Sequence, residues 1–257
     1  MLGTRSWRAL TLSVLVAVPA VGQAPPADAQ AHRAPLPPPG EMARCKELID
    51  AGQYAAARAR LEPIVEAHPA WARASLLLGL TYYRENRFEA ARSHFARALA
   101  ADPREIAVRP LYGWTLYSLG ELDAAAAMFE SLLEAMPDYT AAGYALGLIH
   151  LERDEVELAR ERLETTARLA AAQQDPAMEG RARARLGDLY VRLDDLAAAR
   201  RELERAVALF PDEVEAHFKL SRVLQRLGDE EGAAAARRRF EEARARVRPE
   251  EGARHPG

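Results

Sequence analysis

The sequence predicts an all-α solenoid of about six helix-turn-helix units, and two observations lead to this fold class. Small and turn-forming residues recur at a spacing of 34: Ala57, Ala91, Ala125 and Ala159; Gly79, Gly113 and Gly147; Pro69, Pro103 and Pro137. Alanine, leucine, arginine and glutamate dominate the composition, and these residues favour packed helices over sheets. A fixed period of this length indicates stacked units that are each too small to bury their own apolar face.

The first 22 residues have the features of an export signal. Arg5 and Arg8 precede an apolar run over residues 9–18, and small residues suitable for cleavage follow it, with Gln23 as the first mature residue. A second candidate cleavage site follows Ala29. The uncharged stretch is shorter than the roughly 20 residues that a membrane-spanning helix needs. We therefore expect a periplasmic or secreted protein, with an uncleaved membrane anchor as the alternative.

Two segments flank the predicted solenoid. Residues 23–40 are mostly alanine and proline, and proline fixes the backbone toward an extended geometry, so a semi-rigid linker is expected. Residues 247–257 carry prolines, glycines and mixed charge, which predicts a disordered tail. The solenoid itself is expected over residues 41–246.

The six units are expected near residues 41–69, 72–105, 106–139, 140–173, 180–213 and 214–246. The second is the clearest: Leu78, Gly79 and Tyr82 share one face of a first helix, and the sequence Asp102-Pro103 ends a second helix. A second face is formed by Ala91, Phe95, Ala98 and Leu99. Small residues at the contact allow the two helices to approach closely.

Two of the units depart from the regular pattern. Pro110 would break the interior of a helix, so the first helix of the third unit is expected to begin at Arg109 or later. Six residues are inserted around 171–176, before the fifth unit. This insertion is expected to lengthen the preceding helix or to bend the stack.

The pattern resembles that of the tetratricopeptide repeat family, in which Leu-Gly, Tyr, Gly-x-Tyr, Ala, Phe, Ala and Pro recur over 34 positions. The third unit carries the resemblance through Tyr112, Gly113, Leu116, Gly120, Leu122, Ala125, Phe129, Leu132 and Pro137. The resemblance implies a right-handed superhelix whose concave groove binds peptides or helices of partner proteins.

The sequence offers no catalytic or metal-binding constellation. It lacks histidines at metal-ligand spacing, a glycine-rich phosphate loop and a nucleophile elbow, so no cofactor, metal or small-molecule substrate is expected. His150 and the single cysteine, Cys45, occupy inward positions and are expected to be core residues. Loss of residues 1–22 removes Arg5 and Arg8 and no acid, so the formal charge falls from -3 to -5. Such a protein is a poor candidate for binding nucleic acid.

A second apolar stripe follows the first helices of units two to four, beyond what packing within a unit requires. Its residues lie at helical spacings: Leu76, Leu80 and Tyr83; Pro110, Trp114 and Tyr117; Tyr144, Leu148 and Leu151. The family resemblance implies that these positions line the concave groove, and aromatic residues with polar tips are enriched at recognition surfaces. The alternative is that successive first helices pack on one another and cover the stripe.

The stripe becomes charged in units five and six. Five arginines and two acids give this region a local excess of +3: Arg181, Arg185, Arg192, Arg222 and Arg226, with Asp188 and Glu215. Because arginine pairs with carboxylates through two parallel hydrogen bonds, this end could bind an acidic segment or a chain terminus. The alternative is internal pairing of Asp188 with Arg185 and Arg192, which lie three and four residues away.

The predicted function is therefore that of a non-enzymatic scaffold whose groove binds a partner peptide or helix. A structural role in a bacterial envelope assembly, such as secretion, pilus or outer-membrane machinery, is the alternative. An enzymatic role would require a catalytic partner chain.

Overall fold

The computed structural model describes residues 37–247, apart from Pro39 and Asp212. This part of the chain forms twelve α-helices and no strand: α1 (Glu41–Asp50), α2 (Tyr54–Ala67), α3 (Ala72–Arg84), α4 (Phe88–Ala101), α5 (Val108–Ser118), α6 (Leu122–Ala135), α7 (Thr140–Glu152), α8 (Val156–Ala172), α9 (Pro176–Arg192), α10 (Leu196–Leu209), α11 (Val214–Arg226) and α12 (Glu230–Val247). The export signal, most of the linker and the tail beyond residue 247 lie outside the described residues. No helix in the described part is both long and apolar enough to cross a membrane.

The helices form a solenoid in which each one contacts only its near neighbours along the chain. Odd-numbered helices are the first helices of the six units and even-numbered helices the second ones. Each odd-numbered helix contacts the next odd-numbered helix, whereas no two even-numbered helices contact each other in the described part. The first helices therefore lie on the shorter, inner side of the stack, and their free face lines a concave surface.

Glycines on the first helices allow the close approach within each unit. A Cβ atom added to Gly79 would lie 2.7 Å from the Phe95 ring, and one added to Gly113 would lie 2.7 Å from Cζ of Phe129. Such distances are shorter than the 3.5–4.0 Å at which carbon atoms attract. The same contact recurs between Gly147 and Leu163 and between Gly187 and Leu203. The repeated glycine therefore makes room for one large core residue of the following helix.

The register of this packing makes Ala91→Leu destabilising. Ala91 is fully buried beside Phe95 and Ala98, so a larger side chain must displace its neighbours. We expect a loss of about 1–3 kcal/mol in the free energy of unfolding, measured by urea denaturation. Ala96→Leu, at an exposed position of the same helix, is the control and should change it by about 0.5 kcal/mol or less. Equal stabilities of the two variants would contradict the register.

The turn between the two helices of every unit contains one residue with a left-handed backbone. Glycine occupies this position in units one, three and six, with Gly120 at φ 77° as an example. Units two, four and five have Asn86 at φ 58°, Asp154 at φ 61° and Asp194 at φ 59°. Asparagine and aspartate tolerate this conformation better than other side chains, because they can form local hydrogen bonds.

The two irregular units are accommodated at helix ends. Helix α5 begins at Val108, one residue before the predicted limit, which places Pro110 in the first turn. An N–H at that position has no acceptor within the helix, so proline costs little there. The insertion lengthens α8 to 17 residues, compared with 14 in α4 and α6, as expected. It also lengthens α9, which begins at Pro176 and has 17 residues.

Candidate functional site

The candidate site is the free face of α3, α5, α7, α9 and α11, which we call the groove. The apolar residues predicted for it are all half-buried: Leu76, Leu80, Tyr83, Trp114, Tyr117, Tyr144 and Leu148. Neighbouring helices therefore cover part of each side chain, and the rest stays accessible to a ligand. Packing between first helices and an accessible apolar stripe, stated as alternatives for the sequence, coexist in the structure.

Trp114 on α5 is held in place by two other aromatic rings. Its ring centroid lies 5.4 Å from that of Phe129 and 5.6 Å from that of Tyr117, with interplanar angles of 68° and 86°. Edge-to-face contacts of this kind stabilise a pair beyond the area that it buries. Because Phe129 is fully buried, the indole stands on the core of the third unit and is fixed before any ligand binds.

Tyr83 and Tyr117 extend the aromatic surface on either side of Trp114. The Tyr83 ring makes an edge contact with Phe88, with centroids 5.8 Å apart. Burial raises the pKa of both tyrosines above the ordinary value, and for Tyr117 the neighbouring carboxylate of Glu152 raises the pKa further. Both hydroxyl groups therefore stay protonated at neutral pH and can donate hydrogen bonds to a ligand.

A chain of polar contacts joins the apolar half of the groove to its charged half. Arg185 Nε donates to the Tyr144 hydroxyl at 3.4 Å, and its guanidinium lies 3.3 Å from the Asp188 carboxylate. Lys219 Nζ lies 2.7 Å from carboxylate oxygens of both Asp188 and Glu215. The chain crosses from α7 through α9 to α11, so it ties together the units on either side of the insertion.

Two of the predicted arginines make ion pairs between successive units. Arg192 pairs with Asp154, and Arg226 Nη2 lies 2.5 Å from Asp194 Oδ1. Both aspartates are the left-handed turn residues of the preceding unit. The partner of Arg192 is therefore Asp154 rather than Asp188, the residue considered in the sequence. These pairs are exposed, so each contributes about 1 kcal/mol or less.

The other two arginines, Arg181 and Arg222, are exposed and make no ion pair within the described residues. The guanidinium carbon of Arg222 lies 5.9 Å from the centroid of the Phe218 ring, within the range of a cation–π contact. Phe218 is 44% exposed, and its ring also lies 5.6 Å from that of Phe240. Arg222 is therefore a cation of the groove that is available to a ligand.

The sequence analysis did not place Phe218 and Lys219 among the site residues. The repeat register provides a signal for Phe218, because it occupies the position that Leu76, Pro110 and Tyr144 hold in earlier units. In the same register, Leu80, Trp114 and Leu148 are followed by Asp188 and Arg222. The role of Lys219 has no such signal, since it bridges carboxylates from two helices.

The two groups considered for chemistry have structural partners. His150 Nδ1 lies 2.6 Å from the Glu155 carboxylate, and the histidine side chain is 14% exposed. Cys45 is fully buried, and burial, assisted by Glu41, raises the pKa of its thiol. Among the described residues, no three histidine, cysteine, aspartate or glutamate side chains are grouped so that they could hold a metal ion.

Comparison with family models covers most of the helical region. Two models described as tetratricopeptide repeat match residues 43–106, 113–176 and 180–223, together more than half of the chain. The chain belongs to the tetratricopeptide repeat family. The predicted family and the predicted all-α repeat solenoid are thereby confirmed. No curated protein matches this tetratricopeptide repeat chain.

Solved structures with the same fold include proteins of bacterial envelopes. PilW, described as a widely conserved type IV pilus biogenesis factor, is 21% identical, with 79% of this chain and 91% of that chain covered at a TM-score of 0.66. PilF of Pseudomonas aeruginosa is 20% identical, with 80% and 96% covered and a TM-score of 0.65. YrrB, described as having an unusual peptide-binding site, is 19% identical, with 68% and 88% covered and a TM-score of 0.58. At these identities the likeness shows the fold.

Proposed function

We propose that this tetratricopeptide repeat protein is a non-catalytic scaffold whose groove binds an extended or helical segment of a partner protein. The observation that carries the proposal is the row of half-buried aromatic and leucine side chains on the inner face of α3, α5 and α7. Aromatic anchors that are rigid in the free protein lose little conformational entropy on binding. Trp114, Tyr117, Tyr144 and Tyr83 are the proposed anchors, with Leu76, Leu80 and Leu148 between them.

The charged half of the groove is proposed to recognise acidic groups of the same partner. Arg181 and Arg222 supply unpaired guanidinium groups, while Arg185, Arg192 and Arg226 surround them with positive charge. The apolar half then supplies most of the affinity, and the charged half sets the orientation of the bound segment. Export to the periplasm or the medium is proposed from residues 1–22.

An affinity capture from an envelope extract tests the proposal. The bait is residues 23–257, and the groove variant carries Trp114→Ala and Tyr144→Ala. The matched control carries Trp71→Ala and Tyr139→Ala, which truncate the same residue types at half-buried positions just before α3 and α7. Circular dichroism of each bait reports whether its helices remain intact.

We expect a protein that is retained by the wild type and by the control and is lost by the groove variant. Equal retention by all three baits would place the interface elsewhere and contradict the proposal. A bait variant that had lost helicity would be replaced by the milder Trp114→Leu and Tyr144→Leu pair, to which the same criterion applies.

A structural role in an envelope assembly is the second candidate. It is supported by the apolar N-terminal run followed by a proline-rich segment, and by the description of PilW as a pilus biogenesis factor. A structural component would co-purify with its neighbours in one fixed stoichiometry that resists high salt. A transient adaptor would be released.

A further inference from the structure

We infer that a pocket between α9 and α11 selects the acidic part of the partner, by taking one apolar side chain that is flanked by carboxylates. This inference rests on the proposed function, because it assigns a ligand chemistry to one end of the same groove. The pocket has a volume of about 540 Å³, within the range of known ligand sites. We call it the α9–α11 pocket; it is lined by Val191, Arg192, Phe218, Lys219, Arg222 and Arg226, among others.

The apolar part of the α9–α11 pocket suits a large side chain. Phe218 is 44% exposed, an unusual state for a phenylalanine, and half-buried Val191 and buried Val223 lie beside it. The Phe218 ring is held by Phe240 on α12, with centroids 5.6 Å apart. Burial of an apolar ligand side chain against this fixed ring would remove exposed apolar surface from water on both partners.

The charges that line the pocket specify the flanking groups. Four cations and two carboxylates line it, a net charge of +2, whereas the whole chain carries -3. Both carboxylates, Asp188 and Glu215, already contact Lys219, and Arg192 and Arg226 pair with turn aspartates of the preceding units. A cationic ligand would therefore meet positive potential and no unpaired carboxylate.

Arg222 is the lining cation that a ligand carboxylate can reach without competition. It makes no ion pair among the described residues, and it lies against the exposed Phe218 ring. Its fork of N–H donors matches a carboxylate in two parallel hydrogen bonds. A ligand residue that fills the space over Phe218 would place its neighbouring acidic residue at Arg222. This juxtaposition joins apolar and acidic recognition at a single site.

Selection of peptides by the full chain tests the inference. A display library of random twelve-residue peptides is enriched on immobilised wild-type protein, and dissociation constants of the enriched peptides are measured by fluorescence anisotropy. The variants are Arg222→Glu and, as the control, Arg201→Glu. Arg201 is exposed on α10, outside the pocket, and makes no ion pair in the described part of the chain, so the charge change is the same.

We expect enriched peptides to contain a large apolar residue next to aspartate or glutamate. Arg222→Glu should raise their dissociation constant at least tenfold, and Arg201→Glu should change it less than twofold. Lysine in place of the acidic residues should abolish binding. Phe218→Ser should weaken the same peptides, which separates apolar from purely electrostatic recognition.

The results that overturn this inference differ from those that overturn the proposed function. Enriched peptides without acidic residues, or peptides that both charge variants weaken equally, would overturn the α9–α11 pocket and leave the groove as the binding surface. If Trp114→Ala also abolished their binding, the proposed function would be supported while this inference failed. A library that yields no enriched peptide would overturn both.

Discussion

Replacing Phe129 by alanine is expected to lower the free energy of unfolding by about 3–5 kcal/mol. The Phe129 side chain is fully buried, and it fills the space left by Gly113 on the facing helix. Glycine at that position cannot extend to refill the cavity, so the lost contacts are not recovered. The ring also supports Trp114 from below. Urea denaturation followed by circular dichroism measures the loss.

Phe218→Ala is the matched control for Phe129→Ala, because the same atoms are removed from a residue that is 44% exposed. We expect it to cost about 1 kcal/mol or less, mainly from the contact with Phe240. A cost for Phe129→Ala as small as that of the control would contradict the packing of the third unit. A broadened transition would indicate that the outer units unfold separately once the third is weakened.

Trp114→Ala is expected to weaken binding of the captured partner by about 2 kcal/mol or more, which is roughly a thirtyfold rise in the dissociation constant. Trp114 lies near the middle of the apolar half of the groove, and its edge-to-face contacts with Phe129 and Tyr117 fix the ring before binding. Isothermal titration of the purified partner into each variant measures the change.

Truncation of Trp114 also removes its contact with the core, so the binding measurement needs a control. Trp71→Ala removes the same side chain from a half-buried position outside the groove. That variant should bind the partner with nearly unchanged affinity. Should Trp114→Ala bind as tightly as the wild type while remaining folded, Trp114 would be removed from the site.

The repeat period made the fold predictable because every unit carries the same packing problem. Gly79 and Gly113 recur at one position, and large residues recur sixteen positions later, so the contact between them can be derived from spacing alone. The longer α8 also follows from counting, since the inserted residues precede the fifth unit. The extension of α9 back to Pro176 does not, because proline is equally compatible with a loop and with the first turn of a helix.

The candidate site was less predictable than the fold. Helical periodicity places Trp114, Tyr117 and Tyr144 on one face, and the structure leaves all three partly accessible. The partners of the arginines could not be deduced, because Arg192 and Asp154 are 38 residues apart and belong to different units. Such pairs depend on how neighbouring units are rotated against each other, which the period alone does not specify.

The left-handed turn residues have a consequence for how this chain could have grown by duplication. A unit whose turn carries aspartate presents an anchor that only an arginine at the end of the next first helix can use, as Asp194 does with Arg226. Gly120 presents no such anchor, and Glu152 stands at the corresponding helix end of the following unit. Exchanging units would therefore bring Glu152 beside an aspartate, or leave an arginine beside a bare glycine. Each junction discriminates weakly, by about 1 kcal/mol or less, but together the junctions favour one order of units over the others.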